Sequence, residues 1–164
     1  MRIKIRRMFL RIVRSIFSDK FREPLTKFFS KKFVNQLYGE ATNRFLDFLL
    51  RSMDVLFFFW EDFRENIKDF EGSYVFRTAK GPVVDSVTFK NGDMEVHDKD
   101  IKDCNVRVTF KDPKSLRSFL FSDDQDILDS ILDNAVEVDG NLNYIFKFGF
   151  MVRDLEHRLG VLYE

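Results

Sequence analysis

Residues 83–96 read VVDSVTFKNGDMEV, and the reading of this stretch decides the fold. Val83, Val87 and Phe89 alternate with polar neighbours up to Lys90, and Met94 and Val96 resume the alternation beyond it. A period of two puts one set of side chains on one face of a strand, so each half is a half-buried β-strand. Asn91-Gly92 supplies the two positive-φ residues that a two-residue hairpin turn requires. Strands are therefore predicted near 83–90 and 93–97.

The same period appears on both sides of the hairpin. Tyr74 and Phe76 mark a strand near 73–78, and Val106, Val108 and Phe110 point inward near 105–110 with Arg107 and Thr109 outward. Val136 and Val138 make a fifth strand near 135–139, whose pairing the pattern leaves open, and Asp139-Gly140 turns the chain. Between these strands the period changes to that of helices. Asp112-Pro113 reads as an N-cap followed by proline in the first turn, opening a helix through Leu116, Phe119 and Leu120. Ser122 and Gln125 form a capping box ahead of Ile127, Leu128, Ile131 and Leu132. A final helix from about Asn141 to Arg158 carries one seam of Ile145, Phe148, Val152, Leu155 and Leu159 and a second of Leu142, Phe146 and Phe150. Two seams cover more arc than packing on one sheet needs, so the second is expected to face a cavity, a partner or the N-terminal helices.

Upstream, Pro24 starts a helix in which Leu25, Phe28, Phe29, Phe33 and Leu37 recur until Gly39. Ala41, Phe45, Phe48 and Leu49, then Leu56, Phe59, Trp60, Phe63, Ile67 and Phe70, continue at helical spacing, with a break expected near Ser52 to Asp54. The apolar block Val55 to Trp60 predicts a helix buried on more than one face. The fold class is α+β: a five-stranded, mostly antiparallel sheet covered by helices and preceded by an N-terminal helical arm. The division is drawn at 1–53 for the arm and 54–164 for the domain, since 164 residues suffice for one core and an appendage.

Charge separates the two parts. The chain is neutral overall, yet residues 1–34 hold 11 Lys and Arg against Asp19 and Glu23. Lys4, Arg7, Arg11 and Arg14 fall on one helical stripe opposite Ile5, Met8, Phe9, Ile12 and Ile16. Such a helix suits an anionic membrane surface, with its apolar face dipped among acyl chains and its arginines on phosphates. Packing on its own domain and binding nucleic acid are the other readings, and nucleic acid ranks last. Arg11 and Arg14 interrupt what a secretory signal would keep apolar, so no export is expected; an arginine-rich, acid-poor start also suits a mitochondrial presequence. No charge-free run approaches the ~20 apolar residues of a membrane span.

Phenylalanine occurs 21 times, which means either a core or cavity wall built of rings or a compositional bias of the source. Cys104 is the only cysteine, so no intramolecular disulfide forms, and it reads as a small buried hydrophobe. Phosphate-binding glycine motifs and the G-x-S-x-G nucleophile elbow are absent. His97 and His157 lack metal-ligand spacing, and His157 reads as a surface pair with Asp154. Asp123, Asp124, Asp126, Asp129 and Asp133 lack the loop glycine and distal glutamate of an EF-hand and read as a solvated helix face. No metal, cofactor or catalytic residue is assigned, and the chain is read as a non-enzyme.

The order of elements resembles the sterol carrier protein type 2 family. The resemblance rests on Gly72-Ser73-Tyr74-Val75-Phe76, on Asn91-Gly92, on Asn105 to Phe110 with Asp112 and Leu116, and on Val136 to Asn141, covering about residues 54–160. It implies an apolar tunnel for fatty acyl chains, sterols or other lipids. It makes Phe110, Leu116, Phe119, Leu120, Ile127, Ile131 and Phe146 candidate wall residues. A basic arm ahead of the domain is similar to the bacterial subgroup that serves isoprenoid-quinone biosynthesis, which implies a prenylated precursor as cargo, lipid-biosynthesis enzymes as partners and a cytoplasmic place on the inner face of the membrane. Phe121-Ser122-Asp123 replaces the glycine that many members carry between the two short helices, and bulky Phe146, Phe148 and Phe150 could fill a tunnel. The expected function is thus a lipid carrier docking on membranes through its arm. The alternative is a lipid-free, membrane-associated scaffold or interaction module.

Overall fold

The computed structural model describes residues 20–35, 45–79, 84–121 and 127–161. Residues 20–35 are helical (α1), followed by α2 (Phe45–Phe59), a short α3 (Glu61–Arg64) and a 3-10 turn (Glu65–Ile67). Then come β1 (Gly72–Thr78), β2 (Val84–Lys90), β3 (Asp93–His97), β4 (Val106–Phe110), α4 (Pro113–Phe121), α5 (Ile127–Leu132), β5 (Val136–Gly140) and α6 (Leu142–Leu159).

All five strands join one sheet in the order β3-β2-β1-β4-β5. The hairpin forms as its sequence dictates: Asn91 and Gly92 take φ of 56° and 71°, and Phe89 pairs with Met94. β2 pairs antiparallel with β1, and β5 antiparallel with β4. β4 was expected among antiparallel strands, but it lies parallel to β1, with Tyr74 opposite Val106 and Thr78 opposite Phe110. The reason is geometric. β3 occupies the outer edge and ends at His97, so the chain crosses β2 and β1 through residues 98–105 before adding β4 on the far side of β1.

That crossing runs over the polar face of the sheet. Ser86 Oγ donates to the Lys99 carbonyl at 2.7 Å, and Arg107 Nη2 donates to Asp100 Oδ1 at 2.9 Å and to the Ile101 carbonyl at 3.2 Å. Val75 and Ser86, paired at the centre of this face, are fully buried. Cys104 lies in the crossing and is only partly buried, short of the core position expected for it.

The opposite face carries Tyr74, Phe76, Val87, Phe89, Val106, Val108 and Phe110, all buried, and the helices cover it. α6 begins where Asn141 Oδ1 accepts the Asn143 amide at 2.9 Å and ends at left-handed Gly160, so both caps agree with the periodicity. Its first seam is buried, and Phe148 meets Phe76 and Tyr74 at ring-centroid distances of 4.8 and 5.5 Å. Phe146 and Phe150 of the second seam face outward, more than half exposed. The expected pairing of His157 with Asp154 is replaced: Asp154 Oδ2 accepts from Arg158 Nε at 3.0 Å and Asn66 Nδ2 at 2.6 Å.

α2 runs unbroken through Ser52 to Asp54, where a break was expected, because Leu49, Leu50, Met53 and Leu56 bury one continuous side of it, while Ser52 Oγ donates to the Phe48 carbonyl at 2.6 Å. The chain leaves helix at Trp60 instead. Position 53, where the arm was taken to end, falls inside α2, whose Phe45, Leu46, Leu49, Leu50, Met53 and Leu56 share one core with Phe29 and Phe33 of α1. Arg22 Nη2 also binds Asp62 Oδ2 at 2.8 Å, and Ser30 Oγ reaches the Leu159 carbonyl. No helix among the described residues is long and apolar enough to cross a membrane.

One glycine is fixed by close approach. Gly140 ends β5 at φ +120°, and a Cβ there would overlap Asn105 O and sit 2.9 Å from Val106 Cα. Gly140→Ala is expected to cost about 3 kcal/mol, because backbone strain and a clash with a rigid strand act together. Gly160→Ala, at φ +65° in open space, should cost only about 1 kcal/mol. Urea unfolding of the two variants should preserve that order.

Candidate functional site

Four of the candidate wall residues implied by the resemblance, Phe110, Leu116, Phe119 and Ile131, lie where α4 and α5 pack on β4 and β5. Asp112 starts α4: its Oδ1 accepts the Ser115 amide at 2.7 Å and the Ser115 hydroxyl at 3.0 Å. The Ser115 amide and hydroxyl bonds hold the Asp112 carboxyl below the usual carboxylate range. The capped helix carries Leu116 and Phe119, three residues apart, back toward the sheet. Leu116 is buried, and the Phe119 ring meets Phe110 edge-on at 5.5 Å. α5 brings Ile131 against the same core and ends at Asn134, where a φ of 53° lets the chain enter β5. Val136 and Val138 complete the sheet side opposite Phe110 and Val108.

Phe110, Leu116, Phe119 and Ile131 thus belong to one apolar cluster, while exposed Phe146 does not join them. The side chains of Leu120 and Ile127 lie outside the described residues, as do Lys4, Arg7, Arg11, Arg14 and the capping box at Ser122. On the other side of β1 the interior is filled with rings. Tyr74 and Phe76 stack at 5.9 Å, Tyr74 meets Phe89 at 5.7 Å and Tyr144 at 5.9 Å, and Phe70 lies 5.6 Å from Phe89. Tyr74 donates its hydroxyl to the Tyr144 carbonyl at 2.9 Å, and burial raises its pKa, so it is a structural hydrogen-bond donor and not a proton-transfer group.

Two polar residues on the helix-covered face break the apolar pattern. Thr78 is only 7 % exposed, and its Oγ1 has no hydrogen-bond partner. It stands directly beside Phe110 in the β1–β4 register. A buried, unbonded hydroxyl costs about 1–3 kcal/mol, so its place in an apolar wall calls for a partner. Sequence reasoning passed over Thr78, although it continues the inward alternation of Tyr74 and Phe76 by two residues.

Asp85 is the second. It pairs with Phe76 across β1–β2, is 8 % exposed and accepts no hydrogen bond from the described residues. An oxygen of each of Asp47 (α2), Asp85 (β2) and Asp98 (after β3) lies within 4.8 Å of the others. The Arg51 guanidinium of α2 hydrogen-bonds Asp47 through Nε and Asp98 through Nη2. Burial, then the negative charges of Asp47 and Asp98, push the Asp85 carboxyl up to about 6 against the pull of Arg51.

Among solved structures, the chain is similar to the sterol carrier protein domain 2 of Helicoverpa armigera, at 15 % identity and a TM-score of 0.50, over 77 % of this chain and 96 % of that one. The chain therefore has the sterol carrier protein fold, an α+β class in which helices cover one face of a five-stranded mixed sheet. Weaker likenesses are to a UbiJ-SCP2 ubiquinone synthesis protein (15 % identity, TM-score 0.48, 68 % of this chain and 97 % of that one) and to 16 % of the sec-alkylsulfatase Pisa1 from Pseudomonas sp. (15 % identity, TM-score 0.42, 68 % of this chain). No family model and no curated protein matches the sequence.

Asp85 makes stability depend on pH. Its folded pKa of about 6 stands above the ordinary 3.8, so its carboxyl favours the folded state when protonated and loses that preference as pH rises through about 6. Between pH 4 and pH 8, in a chelator-containing buffer, the wild type should lose on the order of 1 kcal/mol relative to Asp85→Asn, solvent screening reducing the effect of the shift. Parallel denaturant titrations of the two proteins across that range measure the difference.

Proposed function

We propose that this protein is a non-catalytic lipid carrier that holds an apolar ligand between β4–β5 and α4–α5 and docks reversibly on anionic membranes. The carrying observation is the unpartnered Thr78 hydroxyl set beside Phe110 in an otherwise apolar wall. Ligand sites are apolar surfaces with few, placed polar groups, and one buried hydroxyl suits one end of an amphipathic lipid. A fatty acyl chain or a prenylated aromatic precursor has that form: a long apolar body and a head able to hydrogen-bond. Leu120 and Ile127 are proposed with Phe110, Leu116, Phe119 and Ile131 as wall residues. The filled ring cluster at Tyr74, Phe76 and Phe148 favours the other reading, a lipid-free scaffold, if it continues under α4.

Removing the hydroxyl separates the two readings. Thr78→Val keeps the side-chain shape and should raise the stability of the empty protein while weakening a fluorescent fatty-acid analogue about tenfold, the worth of one hydrogen bond. Mass spectrometry of lipid extracted from purified wild type should recover a bound amphipath. Repeated extraction of none, with no binding of the analogue, decides for the scaffold.

Docking is supported by the outward side of α1. Lys20, Lys27, Lys31 and Lys32 are exposed there beside Phe21 and Phe28, and Lys32 Nζ sits 4.6 Å from the centre of the Phe28 ring. Aromatic rings among lysines suit an anionic lipid interface, to which Lys4, Arg7, Arg11 and Arg14 are proposed to add further basic charge. Each basic residue near an anionic leaflet contributes about 1 kcal/mol. The double variant Lys27→Glu/Lys31→Glu should therefore pellet at least about tenfold less with anionic vesicles, with no change on neutral ones. Equal pelleting would assign α1 to its own core alone.

A further inference from the structure

We propose that Asp47, Asp85 and Asp98 form a site for a hard divalent cation of the calcium class, at the junction of α2 with the β2–β3 edge of the sheet. Calcium holds carboxylate oxygens at about 2.3–2.6 Å, so two oxygens on one ion lie no more than about 5 Å apart. The three carboxylates, from three separate elements, each present an oxygen within 4.8 Å of the others.

Proximity of acids alone would not make a site. The second observation is Asp85 itself: more than nine-tenths buried, without a hydrogen bond among the described residues, and with an oxygen within 4.8 Å of the other two carboxylates. A carboxylate so largely shielded from water normally has donors bonded to it, and among the described residues none bonds this one. Arg51 serves Asp47 and Asp98 but gives Asp85 no hydrogen bond, so three acids face one guanidinium. The Arg51 side chain is half exposed and sits on the surface of α2, from which it can swing into solvent as an ion enters. The donor set is all oxygen, with neither histidine nor cysteine in the group, which disfavours zinc and copper. Partial exposure of Asp47 and Asp98 leaves room for the waters that complete six to eight ligands, and a set of this irregularity suits calcium better than octahedral magnesium. Three carboxylates opposed by a resident arginine place the affinity near the weak end of protein calcium sites, about 0.1–1 mM.

The test is isothermal titration of the full chain, stripped with EDTA, with calcium chloride in about 0.15 M KCl, followed by thermal unfolding with and without the ion. One ion per chain is expected, with a higher midpoint in calcium and weaker binding of magnesium. Arg51→Gln should bind several-fold more tightly, because the competing guanidinium is gone. Asp85→Asn should lose at least about tenfold in affinity. Asp98→Asn, at a largely exposed position that threatens no core, should lose a similar amount. Absence of binding in the wild type overturns the proposal, even if Arg51→Gln binds. Equal binding by wild type, Asp85→Asn and Asp98→Asn overturns it as well, by locating the ion elsewhere.

Discussion

The parallel pairing of β4 with β1 is the constraint on which the rest of the molecule depends. It forces the chain to cross two strands on the polar face, and it fixes the register that sets Phe110 beside Thr78. Asn105 secures the start of that pairing. Its Oδ1 accepts the Ser73 amide, its own amide donates to the Ser73 carbonyl, and its carbonyl accepts the Asn141 amide, so one residue joins β1, β4 and the cap of α6. A slip of one residue would turn Val106, Val108 and Phe110 outward and leave α4 with nothing to cover. Gly140 packs against the same residue because only a position without Cβ can approach this backbone so closely. The helices over the sheet are therefore placed by a junction on its rim.

Period and turn chemistry made much of this fold legible. Alternation at Tyr74 and Phe76, at Val87 and Phe89 and at Val106 to Phe110 names the buried face, and Asn91-Gly92 leaves one economical turn between β2 and β3. Alternation cannot name a neighbour, however. Nothing local in Val106 to Phe110 distinguishes a strand added parallel to β1 from one continuing a meander; the distinction lies in the crossing of residues 98–105, held to the sheet by Ser86 and Arg107 rather than by any pattern within β4. The break expected near Ser52 failed for a similar reason: burial of Leu49, Leu50, Met53 and Leu56 carries the helix through its polar run, and tertiary packing of that kind leaves no local signal.

The candidate site was half legible. Phe110, Leu116, Phe119 and Ile131 are apolar at positions where capping and period orient them inward, so pattern reasoning reaches them. Phe146 repeats the apolar period of α6 with equal strength, yet α6 has one sheet to cover, and Phe148 takes the inward place while Phe146 turns to solvent. Thr78 and Asp85 escape such reasoning, since a polar residue at an inward position of a strand reads as an end of the pattern.

These two residues say most about what the molecule does. Both stand on the helix-covered face of the sheet, toward the end of β1 and the start of β2; the Thr78 hydroxyl is buried without a partner, and Asp85 is largely buried with no hydrogen bond among the described residues. The interior nearby shows that the chain can satisfy buried polar groups: Tyr74 finds the Tyr144 carbonyl, and Ser86 on the other face finds Lys99. Valine at 78 or asparagine at 85 would relieve much of the cost with little change of shape. Trp60 Nε1 and Arg107 Nε are likewise buried without a partner, so it is the surroundings of Thr78 and Asp85 that single them out. The hydroxyl lies beside Phe110 and the carboxylate lies among acids, so the complements proposed for them differ: the head of an apolar ligand for Thr78, and a cation for Asp85.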